Sequence, residues 1–458
     1  MRFPTSTLCA LLLAAPFAHA QIAPAPAASA PEPPTDLAPT HVHADAPAKA
    51  ADNQVDLQDI RRFSRVYDIV RQAYVEPVGN HALMKDAITG MLAGLDPHSE
   101  YLDKEGLAQL DEDTTGQYSG LGIEVLQQDG GLVIVTPIDD TPASRAGVRP
   151  GDSIVKIDGM LVDPQNVDGM FKKLRGKPGS KITLTILHKG SDNPVDMHLT
   201  RENIAITSVK VRQLEPGYDY IRITQFQSDT AADLERKLSA MVGKDGTPRG
   251  AVLDLRNNPG GLLTAAVSVS DDFLDSGTIV TTRGRLADSN MSFGAHPGDL
   301  LKGAPLVVLV NHGTASAAEI VSGALKDNHR ALLIGQRTFG KGVVQTVLPL
   351  DAEHAVKLTT ARYYTPNGTS IQAEGIKPDI PLADLSVRKV DAAPELVSSE
   401  ADLPNHLANE NAKAAGNIDA DGSAAEGTLA TNDYALAQAL NVLKGMALGR
   451  GAAMPAAK

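Results

Sequence analysis

The sequence predicts a layered α/β protein, with a β-rich unit placed ahead of the α/β core and a helical region in front of both. Three observations predict it. First, 458 residues exceed the roughly 250–300 that one hydrophobic core accommodates, so two or three compact units are expected. Second, between about 204 and 382, strand-like runs alternate with helical stretches, the pattern of a layered core. Third, between about 113 and 203, short apolar or alternating runs are broken by Gly, Pro and Asp turn signals. A composition of 42% hydrophobic and 21% charged residues excludes a wholly disordered chain and a membrane bundle. The formal charge of −13 disfavours a sequence-independent grip on nucleic acid or anionic lipid, so no nucleic-acid partner is expected.

Arg2, the apolar stretch from Leu8 to Phe17 and the triplet Ala18-His19-Ala20 read as a secretory signal peptide (1–20), cleaved after Ala20. That stretch is too short for a membrane span, which needs about 20 residues, and Pro16 interrupts it. The sole cysteine, Cys9, lies inside it, so the processed protein would hold no disulfide, thiolate metal site or cysteine nucleophile. The expected destination is the periplasm. Residues 21–54 are rich in Pro and Ala and read as a linker; His41 and His43 within it make a poor metal site.

Leu57, Ile60, Phe63, Tyr67, Val70 and Tyr74 recur at the helical period, as do Leu83, Ala87, Met91 and Leu95. They predict a helical region over 55–112, with Pro97 stopping the second helix. Its apolar faces serve either docking against the next domain or subunit assembly. In the core, Tyr220 to Thr224, Ala251 to Leu255 and Leu306 to Val310 read as strands; Thr230 to Val242, Leu262 to Leu274 and Ala315 to Lys326 read as helices. Residues 386–458 read as a flexible tail, ending in an amphipathic stripe of Leu436, Leu440 and Leu443 that suits a docking helix better than a membrane anchor.

In 113–203, Tyr118-Ser119-Gly120-Leu121-Gly122-Ile123 precedes a strand, and its glycines let successive N–H groups turn toward one anion. Thr141-Pro142-Ala143-Ser144-Arg145-Ala146-Gly147-Val148, Pro150-Gly151-Asp152, a strand to Ile157, the Asp158-Gly159 turn and a helix near Asn166 to Leu174 follow in order. Together these resemble a PDZ domain. The resemblance implies recognition of a chain's C-terminal residues, with Leu121, Gly122 and Ile123 as the peptide-binding residues.

Ser316 falls where the apolar run Leu306 to Val310 leads through Asn311-His312-Gly313-Thr314 into a helix. Unpaired N–H groups at a helix start favour an alkoxide or oxyanion, although serine is also an ordinary cap there. A nucleophile needs a base. Lys341, in Thr338-Phe339-Gly340-Lys341-Gly342-Val343-Val344-Gln345, is flanked by glycines that permit an irregular backbone. A lysine amine with its pKa near 10.4 is neutral in only about one molecule in 2,500 at pH 7, and desolvation by Phe339, Val343 and Val344 would lower it. Gln345 offers an amide able to orient the amine. His312, His329 and His354 are weaker candidates for a base, and no paired-histidine zinc motif occurs.

The joint pattern resembles the carboxy-terminal processing peptidases, a Ser-Lys serine protease family. It is carried by Leu95-Asp96-Pro97-His98-Ser99, the PDZ-like unit, Asp254-Leu255-Arg256-Asn257-Asn258-Pro259-Gly260-Gly261, Gly313-Thr314-Ala315-Ser316-Ala317-Ala318-Glu319-Ile320, the Lys341 segment and Gly375-Ile376-Lys377-Pro378-Asp379. The resemblance implies a crotonase-like (ClpP/crotonase-type) core over 204–385. It also implies Ser316 as nucleophile, Lys341 as general base, Gln345 as the group positioning that lysine, and an oxyanion hole from Ala317 with Gly260 or Gly261. The chain departs from the family at Thr369, where relatives commonly carry a basic residue. Neither cofactor nor metal is expected. The expected partners are protein substrates with exposed C-termini, an adaptor protein and further copies of the chain. A non-catalytic scaffold on the same fold is the alternative function.

Overall fold

The structure is a computed structural model that describes residues 40–41, 55–385 (save 129–130, 139 and 247), 387–388, 407 and 429–453. The expected signal peptide with Cys9, most of the linker with His43, and most of the tail before 429 lie outside the described residues.

The front region holds helices Leu57–Ala73 and Asn80–Ala93, a short strand Glu100–Leu102 and a third helix Lys104–Thr115. Asp56 and Asp103 start the first and third helices by accepting the N–H groups of Gln58 and Gly106. The first helix has no buried residue, and Leu57, Ile60, Phe63 and Val66 are about half exposed or more. Of its two expected uses, docking against the next domain is therefore not what its apolar face does here.

The β-rich unit is an antiparallel sheet in the order Ile123–Gln128, Gly131–Pro137, Ser153–Ile157, Lys181–Leu187 and Val195–Thr200, with helix Val167–Leu174. Alternate residues of Lys181–Leu187 point inward, and Ile182, Leu184 and Ile186 join Leu132, Ile134 and Ile157 in its core. Strand Gln117–Gly120 pairs with Glu202–Ala205, bringing entry and exit of this unit together.

The core contains two sheets. One runs Val209–Glu215, Tyr218–Ile223, Gly250–Asp254, Leu306–Val310, Leu332–Gly335 and Ile380–Pro381, parallel from the second strand onward. Every residue of Gly250–Asp254 and Leu306–Val310 is buried, as continuous apolar runs require of a sheet covered on both faces. On one face lies helix Tyr434–Ala453, whose Leu436, Leu440 and Leu443 pack on Val252, Val307 and Leu309. The other sheet is antiparallel, with Met291–Gly294, Thr278–Gly284, Ala355–Tyr364 and Val343–Pro349 in order. Thr40–His41 pairs at one end, and Glu100–Leu102 pairs with Ala355–Tyr364. The alternation of strands and helices in the sequence did not distinguish this second sheet. Helix Ala317–Asp327 packs on both sheets, and its residues from Ala317 to Leu325 are all buried.

Candidate active site

Ser316 stands at the junction of the buried strand Leu306–Val310 and helix Ala317–Asp327, with φ 54° and ψ −117°. A non-glycine residue there costs about 1–3 kcal/mol and persists only where its surroundings enforce it. Two contacts enforce it: the Ala315 N–H donates to the Asn258 carbonyl at 2.9 Å, and the Ser316 N–H donates to Glu319 Oε2 at 2.9 Å.

Glu319 is fully buried one helical turn beyond the serine. It accepts from Ser316 N–H, from the Thr338 hydroxyl, from Gly340 N–H at 2.8 Å and from Lys341 N–H at 2.9 Å. The Ser316 and Lys341 nitrogens bond one and the same oxygen, so the two segments, 25 residues apart in sequence, are joined at their backbones. Burial pushes the Glu319 carboxyl up, and the four donors oppose that shift. Glu319 lies inside the serine motif, yet the sequence reading assigned it no role. The available signal was its place three residues after a helix-starting serine.

Gly340 has φ 93°, and a side chain there would meet the Gly375 nitrogen at 2.9 Å, so the lysine loop lies against the Gly375-Ile376 segment at a distance only glycine allows. Burial lowers the Lys341 pKa, Lys357 lowers it further, and Glu100 and Asp96 raise it. The expected direction holds, but Phe339 is 63% exposed and cannot supply the burial assigned to it. Among the described residues, no hydrogen bond joins Lys341 Nζ to Ser316 Oγ or to Gln345. Gln345 Nε2 donates instead to Thr359 Oγ1 at 3.2 Å. The Tyr363 hydroxyl, in a side chain only 2% exposed, meets the Lys341 carbonyl and the Ser316 side chain.

Gly260 packs directly on the serine: a side chain on it would meet Ser316 Cβ at 2.7 Å and the Ala317 nitrogen at 3.0 Å. Its N–H is occupied by Asn258 Oδ1 at 2.9 Å, and its carbonyl accepts from Phe226. Buried Asn258 also donates to the Ile223 carbonyl, which anchors the turn to the sheet. Among the described residues, the N–H groups of Gly261 and Ala317 have no partner. The histidines hold other places: His354 binds Asp351 and stacks on Tyr101, and neither His312 nor His329 contacts Ser316.

In the β-rich unit, Leu121, Gly122 and Ile123 line a cavity of about 570 Å³ together with Tyr118, Phe171 and Arg175. Among the described residues, no group of three or more potential metal ligands occurs, and no helix is long and apolar enough to cross a membrane.

Comparison with known proteins matches residues 217–382 to peptidase family S41, 119–199 to the PDZ domain and 34–106 to the N-terminal domain of the activating protease CtpB. A carboxy-terminal-processing protease of Bartonella bacilliformis is 47% identical over 325 residues, covering 70% of this chain and 75% of that one. The carboxy-terminal processing protease CtpA of Bacillus subtilis is 36% identical over 321 residues, covering 70% and 68%. Among solved structures, the photosystem II D1 C-terminal processing protease shares 33% identity over 72% of this chain and 94% of that one, with a TM-score of 0.42. With a strained, half-buried serine at a helix start, a glycine-flanked lysine and a PDZ domain on an α/β core, the chain belongs to the carboxy-terminal processing serine proteases of peptidase family S41.

Proposed function

We propose that this C-terminal processing serine protease works through a Ser316–Lys341 dyad, in a secreted enzyme whose PDZ domain receives the substrate's C-terminus. The observation that carries the dyad is the shared Glu319 carboxylate, which ties the backbones of both residues to one point. In the competent state, neutral Lys341 Nζ takes the Ser316 proton as Oγ attacks the scissile carbonyl carbon. The oxyanion is met by the N–H groups of Ala317 and Gly261, since Asn258 occupies that of Gly260. The carbon–nitrogen bond breaks, the leaving amine takes the proton from Lys341, and the again neutral Lys341 Nζ takes a proton from the water that attacks the acyl group and releases it from Ser316 Oγ. The first proton transfer needs Lys341 Nζ within hydrogen-bond reach of Ser316 Oγ, a contact that bound substrate tightens. Gln345 orients the amine in that state.

The test is hydrolysis of a peptide by the wild type, Ser316→Ala and Lys341→Ala, with melting curves as the control for folding. Loss of turnover in both variants with an unchanged fold supports the dyad; full activity in either overturns it. The PDZ assignment rests on the cavity at Leu121, Gly122 and Ile123 and predicts tighter binding of free-acid than of C-terminally amidated peptides. Secretion rests on residues 1–20 and predicts a processed periplasmic protein starting at Gln21. The exposed face of helix Leu57–Ala73 is assigned to a second copy of the chain, and light scattering distinguishes that from an adaptor protein.

A further inference from the structure

The turn Leu95–Ser99 is bound to the catalytic hairpin by an unbroken hydrogen-bond path. Asp96 gathers its own turn, accepting from His98 N–H at 2.8 Å, Ser99 N–H at 3.0 Å and the Ser99 hydroxyl at 2.7 Å. It then reaches across about 260 residues of sequence to accept from Thr359 Oγ1 at 3.1 Å, while Ser99 Oγ accepts from Thr359 N–H at 3.1 Å. Thr359 Oγ1 in turn accepts from Gln345 Nε2, and Thr359 and Gln345 are direct cross-strand partners. Beside the turn opens a cavity of about 550 Å³ lined by Asp96, His98, Thr359 and Val343, so the link is made by hydrogen bonds rather than by close packing.

The Asp96 carboxylate on the same turn also acts on Lys341, less strongly than burial, Lys357 or Glu100. The charged and titratable groups acting there are Lys357 on strand Ala355–Tyr364, Glu100 on strand Glu100–Leu102, and Asp96 and His98 on the turn. Lys357 is itself paired with Glu100.

We propose that Asp96 is a positioning residue of the protease: through Thr359 it holds Gln345 in place, and its carboxylate acts on the catalytic lysine. The front region is then a working part of the base. This inference rests on the Ser316–Lys341 reading, and Ser316→Ala, measured alongside, separates the two.

The readouts are kcat, KM and the acid limb of the pH profile of peptide hydrolysis in the full chain. Asp96→Asn removes a charge that favours the lysine ammonium, so its acid limb moves to lower pH. Asn keeps the Oδ1 that accepts from Thr359, so its kcat changes little; Asp96→Ala removes that acceptor, and its kcat falls about tenfold as Gln345 loses its support, with KM little changed. Thr359→Val breaks the path but keeps the charge: kcat falls similarly and the acid limb stays. Thr359→Ser, which retains the hydroxyl, restores kcat. Wild-type kcat and pH profile in both Asp96→Ala and Thr359→Val overturn the proposal. A lowered melting temperature with an unmoved acid limb in Asp96→Asn also overturns it, since that is a structural role alone. Residual hydrolysis by Ser316→Ala would instead overturn the dyad reading.

Discussion

Ser316 and Lys341 are prepared in opposite ways. Around the serine, the backbone is fixed by buried groups: the Asn258 carbonyl, the Glu319 carboxylate, the close approach of Gly260 and a helix packed between two sheets. Around the lysine, the backbone is fixed by the same Glu319, but the amine is surrounded by charges of both signs and is itself half-buried. In the proposed mechanism, the nucleophile is thus held by geometry and the base is tuned by electrostatics. Rigid placement suits an atom that must attack along one line. A tunable amine suits a group that must bind and release a proton in each cycle.

Three substitutions, with Ser316→Ala as their comparator, break or sharpen this contrast. The largest effect is expected at Glu319→Gln, because its amide nitrogen would face a donor and leave buried N–H groups unmet. A loss of about 2–4 kcal/mol in unfolding free energy, read from denaturant curves, is expected together with loss of turnover. Ser316→Ala, which leaves the backbone bonds intact, should be nearly as stable as the wild type, and equal stability of all three proteins would remove the Glu319 bridge from the argument. A smaller effect is expected at Asp433→Asn. Arg256 forks onto Asp433 at 2.9 and 2.7 Å and also binds buried Asp254, and it directly precedes the Asn257–Gly261 segment. Weakening one arm should cost about 1–2 kcal/mol and lower kcat more than it raises KM; a change in KM alone would cut the helix off from the serine side.

Near pH 4 the smallest effect is expected at Asp272→Asn, a buried acid without the four donors Glu319 enjoys. Burial and Glu235 push Asp272 up to about 9, and its Oδ2 has no hydrogen-bond partner. The native state therefore binds this proton more tightly than the unfolded chain. That contribution is complete below the ordinary carboxylate range near 4 and is lost as pH rises through about 9. Asn imitates the protonated form, so the variant should match the wild type in melting temperature near pH 4 and exceed it increasingly toward pH 9. A constant difference across that range would refute the assignment.

The buried strands were legible because continuous apolar runs such as Leu306–Val310 admit few alternatives, and the serine and lysine segments were legible because their glycines mark irregular backbone. The antiparallel sheet was not, since strand Val343–Pro349 is half-exposed and carries no clean alternation. Helical periodicity identified the face of Leu57–Ala73 but could not say whether anything covers it. Asp96 and Tyr363 escaped because no local spacing encodes the contacts from Asp96 to Thr359 or from Tyr363 to Ser316, and Glu319 offered only a capping spacing that says nothing of Thr338, Gly340 or Lys341. Gln345 was expected beside the lysine, but its amide is spent on a threonine whose position only the sheet register reveals.

Helix Tyr434–Ala453 is pinned to the parallel sheet by three leucines and held at its start by the Arg256 fork onto Asp433. Digestion inward past Ala453 would have to peel that helix away and bare Val252, Val307 and Leu309 to water. Stripping this element away would therefore uncover one whole face of the sheet that carries the serine strand.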